Sequence, residues 1–331
     1  MSRKALLLLV TLLLIAAGLL VLGVGVGSEG LALPAADDAV GRQILWEIRL
    51  PRSLGAWLTG GLLGLAGAVA QGLFRNPLAD PYLLGASSGA ALGVALLLVA
   101  LGVSPAAAAW GLKLGLTGAA FLGAIAAVVL TLLLAQGLEQ TMRLLLAGVI
   151  VGVVLGATTS MLSLTVPDIL RPMQAFMLGS TGFLSWQSVG VMAPVLLLAL
   201  LTSLGAARSL DALTLGADTA QSLGVRLAAV RLLLVATISL CAGAAVAQAG
   251  LIAFVGLVAP HLVRSRLHCS HGWLLVLAAC TGADLLLAAD IIARWIVAPQ
   301  ELPVGIVTSL LGGAYLLKLM RRRGLLQERR A

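Results

Sequence analysis

Long apolar runs alternate with short polar connections along almost the whole chain, at 5–26, 53–74, 83–102, 108–136, 144–166, 188–206, 230–250, 251–265, 273–297 and 303–320. A helix needs about 20 apolar residues to cross hydrocarbon, so this pattern predicts an all-α, polytopic membrane protein with about ten transmembrane helices. Residues 1–331 are expected to form one transmembrane domain, with no sizeable extramembrane unit. The first run, Ala5 to Val26, follows Ser2-Arg3-Lys4 and lacks a small-x-small cleavage site, which predicts a retained anchor with its N-terminus inside. The polar stretch from Gly27 to Arg52 then falls outside. At Gly250 two runs meet with almost no loop, so the eighth is either a full crossing or a half-span.

Composition agrees with a lipid solvent. Of 331 residues 60% are apolar and 10% charged, whereas soluble domains carry about 25% charged residues. The net charge of +8 comes from 21 Lys+Arg against 13 Asp+Glu. In a soluble chain such an excess points to nucleic acid; in a membrane protein it collects in cytoplasmic loops. With both termini cytoplasmic, 15 basic residues lie inside and six outside: Arg42, Arg49, Arg52, Lys113, Arg171 and Arg294. Aromatics, at 4%, are too few for base stacking, so no nucleic acid partner is expected. Three cysteines, Cys241, Cys269 and Cys280, are odd in number and irregular in spacing, which argues against a disulfide framework.

The chain offers little for bond-making chemistry. Its lysines, Lys4, Lys113 and Lys318, do not follow glycine, so there is no phosphate-binding G-x-x-x-x-G-K-[ST] loop, and ATP energy must come from a partner. No cofactor is expected in this chain. His268, Cys269 and His271 cluster in a connection but supply too few ligands for a structural metal site. No nucleophile, base and orienting group form a set, which argues against an enzyme. Asp284 and Asp290 stand in the ninth run, where charge is expensive and marks a purpose. Asp290 and Arg294 are one helical turn apart and read as an ion pair. Asp284 has no evident partner; protonation, a watery cavity and a coupling ion all fit it. An ion-coupled secondary transporter using Asp284 and Asp290 is therefore the alternative class.

Glycine recurs at helical spacing, as Gly60 and Gly64, and as Gly148, Gly152 and Gly156. Such stripes let helix backbones approach closely, within the chain or at a dimer seam or pore wall. The segments Ala68-Val69-Ala70-Gln71-Gly72 and Ala245-Val246-Ala247-Gln248-Ala249-Gly250 suggest an inverted repeat. Two polar segments are more specific. In Trp46-Glu47-Ile48-Arg49-Leu50-Pro51-Arg52, the arginines three apart share one side of a helix and suit a carboxylate on another protein. In the long connection Arg208 to Arg231, Gly216 and Gly224 bracket a short helix. Leu215, Ala220 and Leu223 give it an apolar side among Asp218, Thr219 and Gln221; it either docks in a partner's groove or folds back on the bundle.

Several blocks, in order along residues 46–313, resemble the permease subunits of ABC importers for cobalamin, haem and iron siderophores, the FecCD-type family. They are Ile48-Arg49-Leu50-Pro51-Arg52, Asn76-Pro77-Leu78-Ala79-Asp80-Pro81, Arg143 to Gly148, Leu215-Gly216 to Leu223-Gly224, Gly256 to Arg264, Ala289-Asp290 with Arg294, and Glu301-Leu302-Pro303-Val304-Gly305. The resemblance implies a ten-helix permease in a bacterial inner membrane, working as a homodimer with the pathway between its copies. Its partners would be two cytoplasmic ATPase subunits, which bind ATP and Mg, and a periplasmic substrate-binding protein. Arg49, Arg52 and Arg294 match the outer arginines that receive that protein's acidic side chains. The loop of Leu215, Gly216, Asp218, Ala220, Leu223 and Gly224 matches the coupling helix. Asn76 and Leu78 match a cytoplasmic gate, and Thr141 and Met142 a second one, where Met142 departs from the small hydroxyl residue of the cobalamin member. The run bearing Gly148, Gly152 and Gly156 matches a pathway-lining helix.

Overall fold

The computed structural model describes residues 3–27, 30–31, 39–101, 110–135 and 141–328. Its helices in chain order are α1 (Arg3–Gly25), α2 (Ala39–Ile44), α3 (Leu50–Leu73), α4 (Ala86–Leu101), α5 (Trp110–Leu134), α6 (Thr141–Thr165), α7 (Leu170–Leu178), α8 (Trp186–Gly205), α9 (Ala207–Thr214), α10 (Ala217–Ser222), α11 (Leu227–Ala249), α12 (Val255–Arg266), α13 (His271–Trp295) and α14 (Val304–Glu328). The only sheet among the described residues is a two-residue antiparallel pair, Val26–Gly27 with Gly30–Leu31, just after α1. Each of the ten apolar runs coincides with one of the longer helices, except that the eighth becomes the extended stretch 250–254 and α12. Among the described residues seven helical stretches are long and apolar enough to cross a membrane, with α4 and the apolar part of α14 shorter. With 12 residues, α12 rises about 18 Å, well short of the roughly 30 Å of hydrocarbon.

α3 is the core of the bundle. In its apolar stretch 89% of residues are buried, against 28% in α6 and 22% in α8. Its glycines explain why. A Cβ on Gly60 would lie 2.2 Å from the Gly282 carbonyl oxygen, and one on Gly64 would lie 2.3 Å from that of Ala278. The two backbones of α3 and α13 are therefore in direct contact, the close approach that small residues allow where lipid gives no hydrophobic drive. On the next face a Cβ on Gly67 would meet the Gly256 oxygen of α12 at 1.7 Å. Gly64→Ala is accordingly expected to force α3 and α13 apart and to destabilise the protein by about 1–3 kcal/mol, read as a lower thermal midpoint in detergent. Gly156→Ala, with nothing within 4 Å of the new methyl, should leave the midpoint unchanged or slightly higher.

Two interruptions set up the functional ends. Residues 39–73 form one helical stretch, broken by a π-helical turn at Leu45–Arg49 where the Leu50 amide bonds back to Leu45. Pro51 sits two residues after that turn; its ring crowds the carbonyl four residues back and it offers no donor, and the wider turn absorbs this. At the other interruption Gly250 takes φ +71°, and a Cβ there would lie 2.4 Å from the Phe176 oxygen. α11 can thus stop abruptly against α7, and the chain re-enters helix only at Val255.

Candidate functional site

One end of the α3/α13 pair carries a charge cluster. The helices run antiparallel, so Arg52 in the first turn of α3 meets Asp290 near the C-terminus of α13. Arg52 donates from Nε (3.2 Å) and Nη2 (3.1 Å) to Asp290 Oδ1, and from Nη1 to both oxygens of Glu301 (3.0 and 2.8 Å). Asp290 Oδ2 accepts from Arg294 Nη2 at 2.6 Å, and the Thr181 hydroxyl donates to Oδ1. Arg294 Nη1 also donates to the carbonyls of Gly23 (2.8 Å) and Val26 (3.0 Å), while Arg49 reaches those of Val24 (3.3 Å) and Gly25 (3.4 Å). The last carbonyls of α1 thereby gain guanidinium partners at the negative end of its dipole.

Two arginines, one aspartate and one glutamate balance in charge. That balance lets Asp290 (0% exposed), Arg294 (1%) and Arg52 (8%) lie inside the bundle. The three outer arginines of the sequence do come together. Arg52 and Arg294 are enclosed in pairs within the chain, however, and Arg49 alone of the three is half-exposed. Around them Trp46, Ile48, Phe183, Trp295 and Ile296 are exposed. The Trp186 indole donates to the Trp46 carbonyl at 2.9 Å, and the two rings lie 5.2 Å apart.

Asp284 lies two turns further into α13, buried. Trp57 of α3 donates to its Oδ1 at 3.2 Å, a partner the sequence spacing does not disclose, and Oδ2 has no hydrogen-bond partner among the described residues. No group of three or more His, Cys, Asp or Glu among the described residues forms a metal-binding cluster. His271, counted with His268 and Cys269 in the sequence, pairs instead with Asp211 of α9, Nδ1 to Oδ1 2.6 Å. Burial pushes the Cys269 thiol above its ordinary range.

The other end of the pair holds the second group of candidates. α9 is anchored by buried Leu210 and Leu213, and α10 by Ala220, which is fully buried. Gly216 (φ +118°) and Gly224 (φ +85°) flank α10 in a backbone region that favours glycine. Leu215 (66% exposed) and Leu223 (64%) project outward, with Asp218 exposed between them. The short helix is thus seated on the bundle through Ala220, exposes polar Asp218, Thr219, Gln221 and Ser222, and is flanked by the two outward leucines.

Asn76 and Leu78 form the turn after α3, Asn76 Oδ1 accepting from the Leu78 amide at 2.9 Å, and both are exposed. Met142 is exposed at the start of α6; the side chain of Thr141 lies outside the described residues. Gly148 and Gly152 pack inside the chain. A Cβ on Gly148 would meet the Leu83 oxygen at 2.0 Å, and one on Gly152 would be 3.6 Å from the Ser88 hydroxyl, whereas Gly156 faces open space.

Sequence reasoning does not find a cavity of about 500 Å³ between α7, α14 and the extended stretch after α11. Met177, Leu178, Leu251, Ile306 and Leu310 make it largely apolar, with Tyr82, Ser87 and Ser309 as its hydroxyl groups. Its one legible trace is the pair Gly305 and Ser309, small residues one turn apart on α14.

Long apolar helices, with a balanced charge cluster at one end of the α3/α13 pair and a short helix flanked by two exposed leucines at the other, define a multi-pass membrane protein. Residues 6–322 match the FecCD transport family, and the chain belongs to it. It is 45% identical over 285 residues to the hemin transport system permease protein HmuU of Yersinia pestis, covering 84% of each chain. It is 41% identical over 294 residues to the vitamin B12 import system permease protein BtuC of Klebsiella pneumoniae, covering 87% of this chain and 85% of that one. With the ferric enterobactin transport system permease protein FepD of Escherichia coli it shares 39% identity over 283 residues, 85% of this chain and 82% of that one. A solved metal-chelate type ABC transporter in an inward-facing conformation matches with a TM-score of 0.83 and 30% identity, over 95% of this chain and 98% of that one. The chain is a permease subunit of an ABC importer, as the resemblance implies, and its relatives are transport permeases rather than enzymes. The ion-coupled alternative is not favoured, and Asp290 is already committed to two guanidinium groups.

Proposed function

We propose that this permease imports a large chelate, haem, a siderophore complex or cobalamin, across a bacterial inner membrane by alternating access. The identity of 45% to a hemin permease carries the reading and puts haem first among the substrates to test. Each copy makes about ten passes with both termini in the cytoplasm, and two copies enclose the pathway. ATP and Mg bind to two cytoplasmic ATPase subunits, for this sequence has no phosphate-binding loop of its own. A periplasmic binding protein delivers the substrate to the end bearing Arg49, Arg52 and Arg294. The loop 207–231 receives the ATPase through α10, and Asn76, Leu78, Thr141 and Met142 stand at the cytoplasmic gates. α6 and the apolar cavity beside α14 line the way for a substrate that must slide without sticking; no bond in the substrate changes. Permease, ATPase and binding protein reconstituted in vesicles should take up haem only with ATP. Uptake by the permease alone, driven by an ion gradient, would overturn the proposal.

Docking has its own test. Arg49 is the least buried cation of the three, so Arg49→Glu should weaken capture of the binding protein about tenfold at low ionic strength, with the loss shrinking as salt rises. Unchanged affinity at low salt would leave Arg49 as no more than a cap on α1.

A further inference from the structure

Glu301 is the exposed member of an otherwise enclosed charge cluster. Asp290 is fully buried and held by Arg52, Arg294 and Thr181, whereas the Glu301 side chain, on Arg52 Nη1, keeps 36% of its surface exposed. The cluster also ties together two walls of the 500 Å³ cavity. Glu301 stands three residues before α14, whose Gly305, Ile306, Ser309 and Leu310 line that cavity. Thr181 stands three residues after Leu178 at the end of α7, the opposite lining. The two segments touch at the rim. The Gly305 amide donates to the Gly179 oxygen at 3.5 Å, and a Cβ on Gly305 would lie 2.1 Å from that of Leu178.

We infer that Glu301 is a displaceable latch: a carboxylate of the docked binding protein takes its place on Arg52, freeing the 296–303 connection and the first turn of α14 at the cavity rim. Exchange of one carboxylate for another keeps Arg52 paired and the cluster balanced. Breaking the pair outright would instead strand a buried cation. The released Glu301 already reaches solvent, so hydrating it needs no further opening. Docking of an acidic partner is thereby turned into loosening of a cavity wall. The inference rests on the docking reading above and assigns it a moving part.

The test uses the permease–ATPase complex in nanodiscs. Glu301→Gln keeps the side chain's shape and removes the competing charge. It should tighten capture of the binding protein about fivefold. It should also speed labelling of a Ser309→Cys reporter by a membrane-impermeant maleimide several-fold before any partner is added, a change that mere relief of charge repulsion at the surface would not produce. Glu301→Asp, which keeps the charge, should stay near the unmodified complex in both. Unchanged or weaker capture by Glu301→Gln, or unchanged labelling, overturns the latch. Arg49→Glu separates the two failures. If it weakens capture while Glu301→Gln changes nothing, the latch falls and docking stands; if it too leaves capture unchanged, both fall.

Discussion

Asp290→Asn is expected to deprive the permease of most of its folded population in mild detergent, the largest stability loss of any single substitution considered. The carboxylate accepts from Arg52, Arg294 and Thr181 with no exposure to water. Neutralising it leaves two arginines against Glu301 alone, an uncompensated positive charge beside a buried helix pair. Removing one partner of a buried ion pair costs about 3–5 kcal/mol, a large part of the roughly 5–15 kcal/mol that holds a typical domain together. The loss should extend to α1, because Arg294 joins its last carbonyls to α13. Fluorescence-detected size exclusion after a heating series reads the effect as a collapsed monodisperse peak and a lowered midpoint. Adding Arg294→Gln to the same chain restores charge balance and should recover part of the loss, a non-additivity expected of residues in one network. A peak and midpoint equal to the unmodified protein would mean the cluster contributes nothing to the fold.

The same cluster shows where a membrane sequence is readable. Hydropathy announces the spans because lipid rewards apolar side chains at every position, and the runs 5–26, 144–166 and 273–297 fall on α1, α6 and α13 within a few residues. It does not announce neighbours, since a leucine facing lipid and one facing another helix are equally apolar. α3 and α6 therefore look alike in sequence, yet one is the core and the other the flank. The distinguishing mark is small-residue spacing, and it misleads as well as informs. Gly60 and Gly64 mark the α3/α13 contact, and Gly148 and Gly152 lie against the turn and helix after Asp80 rather than on an open face. α7 and α9 escape the hydropathy pattern because they are short and interrupted by Arg171, Gln174 and Asp211.

Pairs within one helix are legible, and pairs across the chain are not. Asp290 and Arg294 sit one turn apart and their bond follows from spacing. Arg52 meets Asp290 across 238 residues, and Glu301 meets Arg52 across 249. Only the antiparallel packing of α3 on α13 brings those three together. Arg52 and Arg294, read from sequence as facing a partner, thus face acids of their own chain first, which is why the half-exposed Arg49 and the exposed Glu301 carry the docking tests.

Leu223→Asp is expected to abolish substrate uptake while leaving the permease folded and the ATPase active, the largest functional loss of the substitutions proposed. α10 has six residues, too few to hold a helical shape unaided. Its shape is fixed by the bundle through fully buried Ala220, by the Val225 amide bonded to the Ala220 oxygen (3.0 Å), and by glycines at both ends with φ +118° and +85°. Outward, beside polar Asp218, Thr219, Gln221 and Ser222, stand two flanking leucines, Leu215 and Leu223, whose exposure has no structural reward within this chain. If α10 carries the ATPase stroke, as proposed, those leucines are the apolar grip. A carboxylate at 223 would have to be desolvated in the partner's groove, which costs several kcal/mol. Transport should fall more than tenfold, with ATP hydrolysis persisting but no longer stimulated by the loaded binding protein. Because the altered side chain is exposed, the thermal midpoint should not move, which separates lost coupling from lost fold. Asp218→Asn, within α10 and already polar, should transport nearly as well as the unmodified complex. Undiminished uptake by Leu223→Asp would remove α10 from the mechanism and leave Ala220 as the anchor of a helix that merely folds back on the bundle.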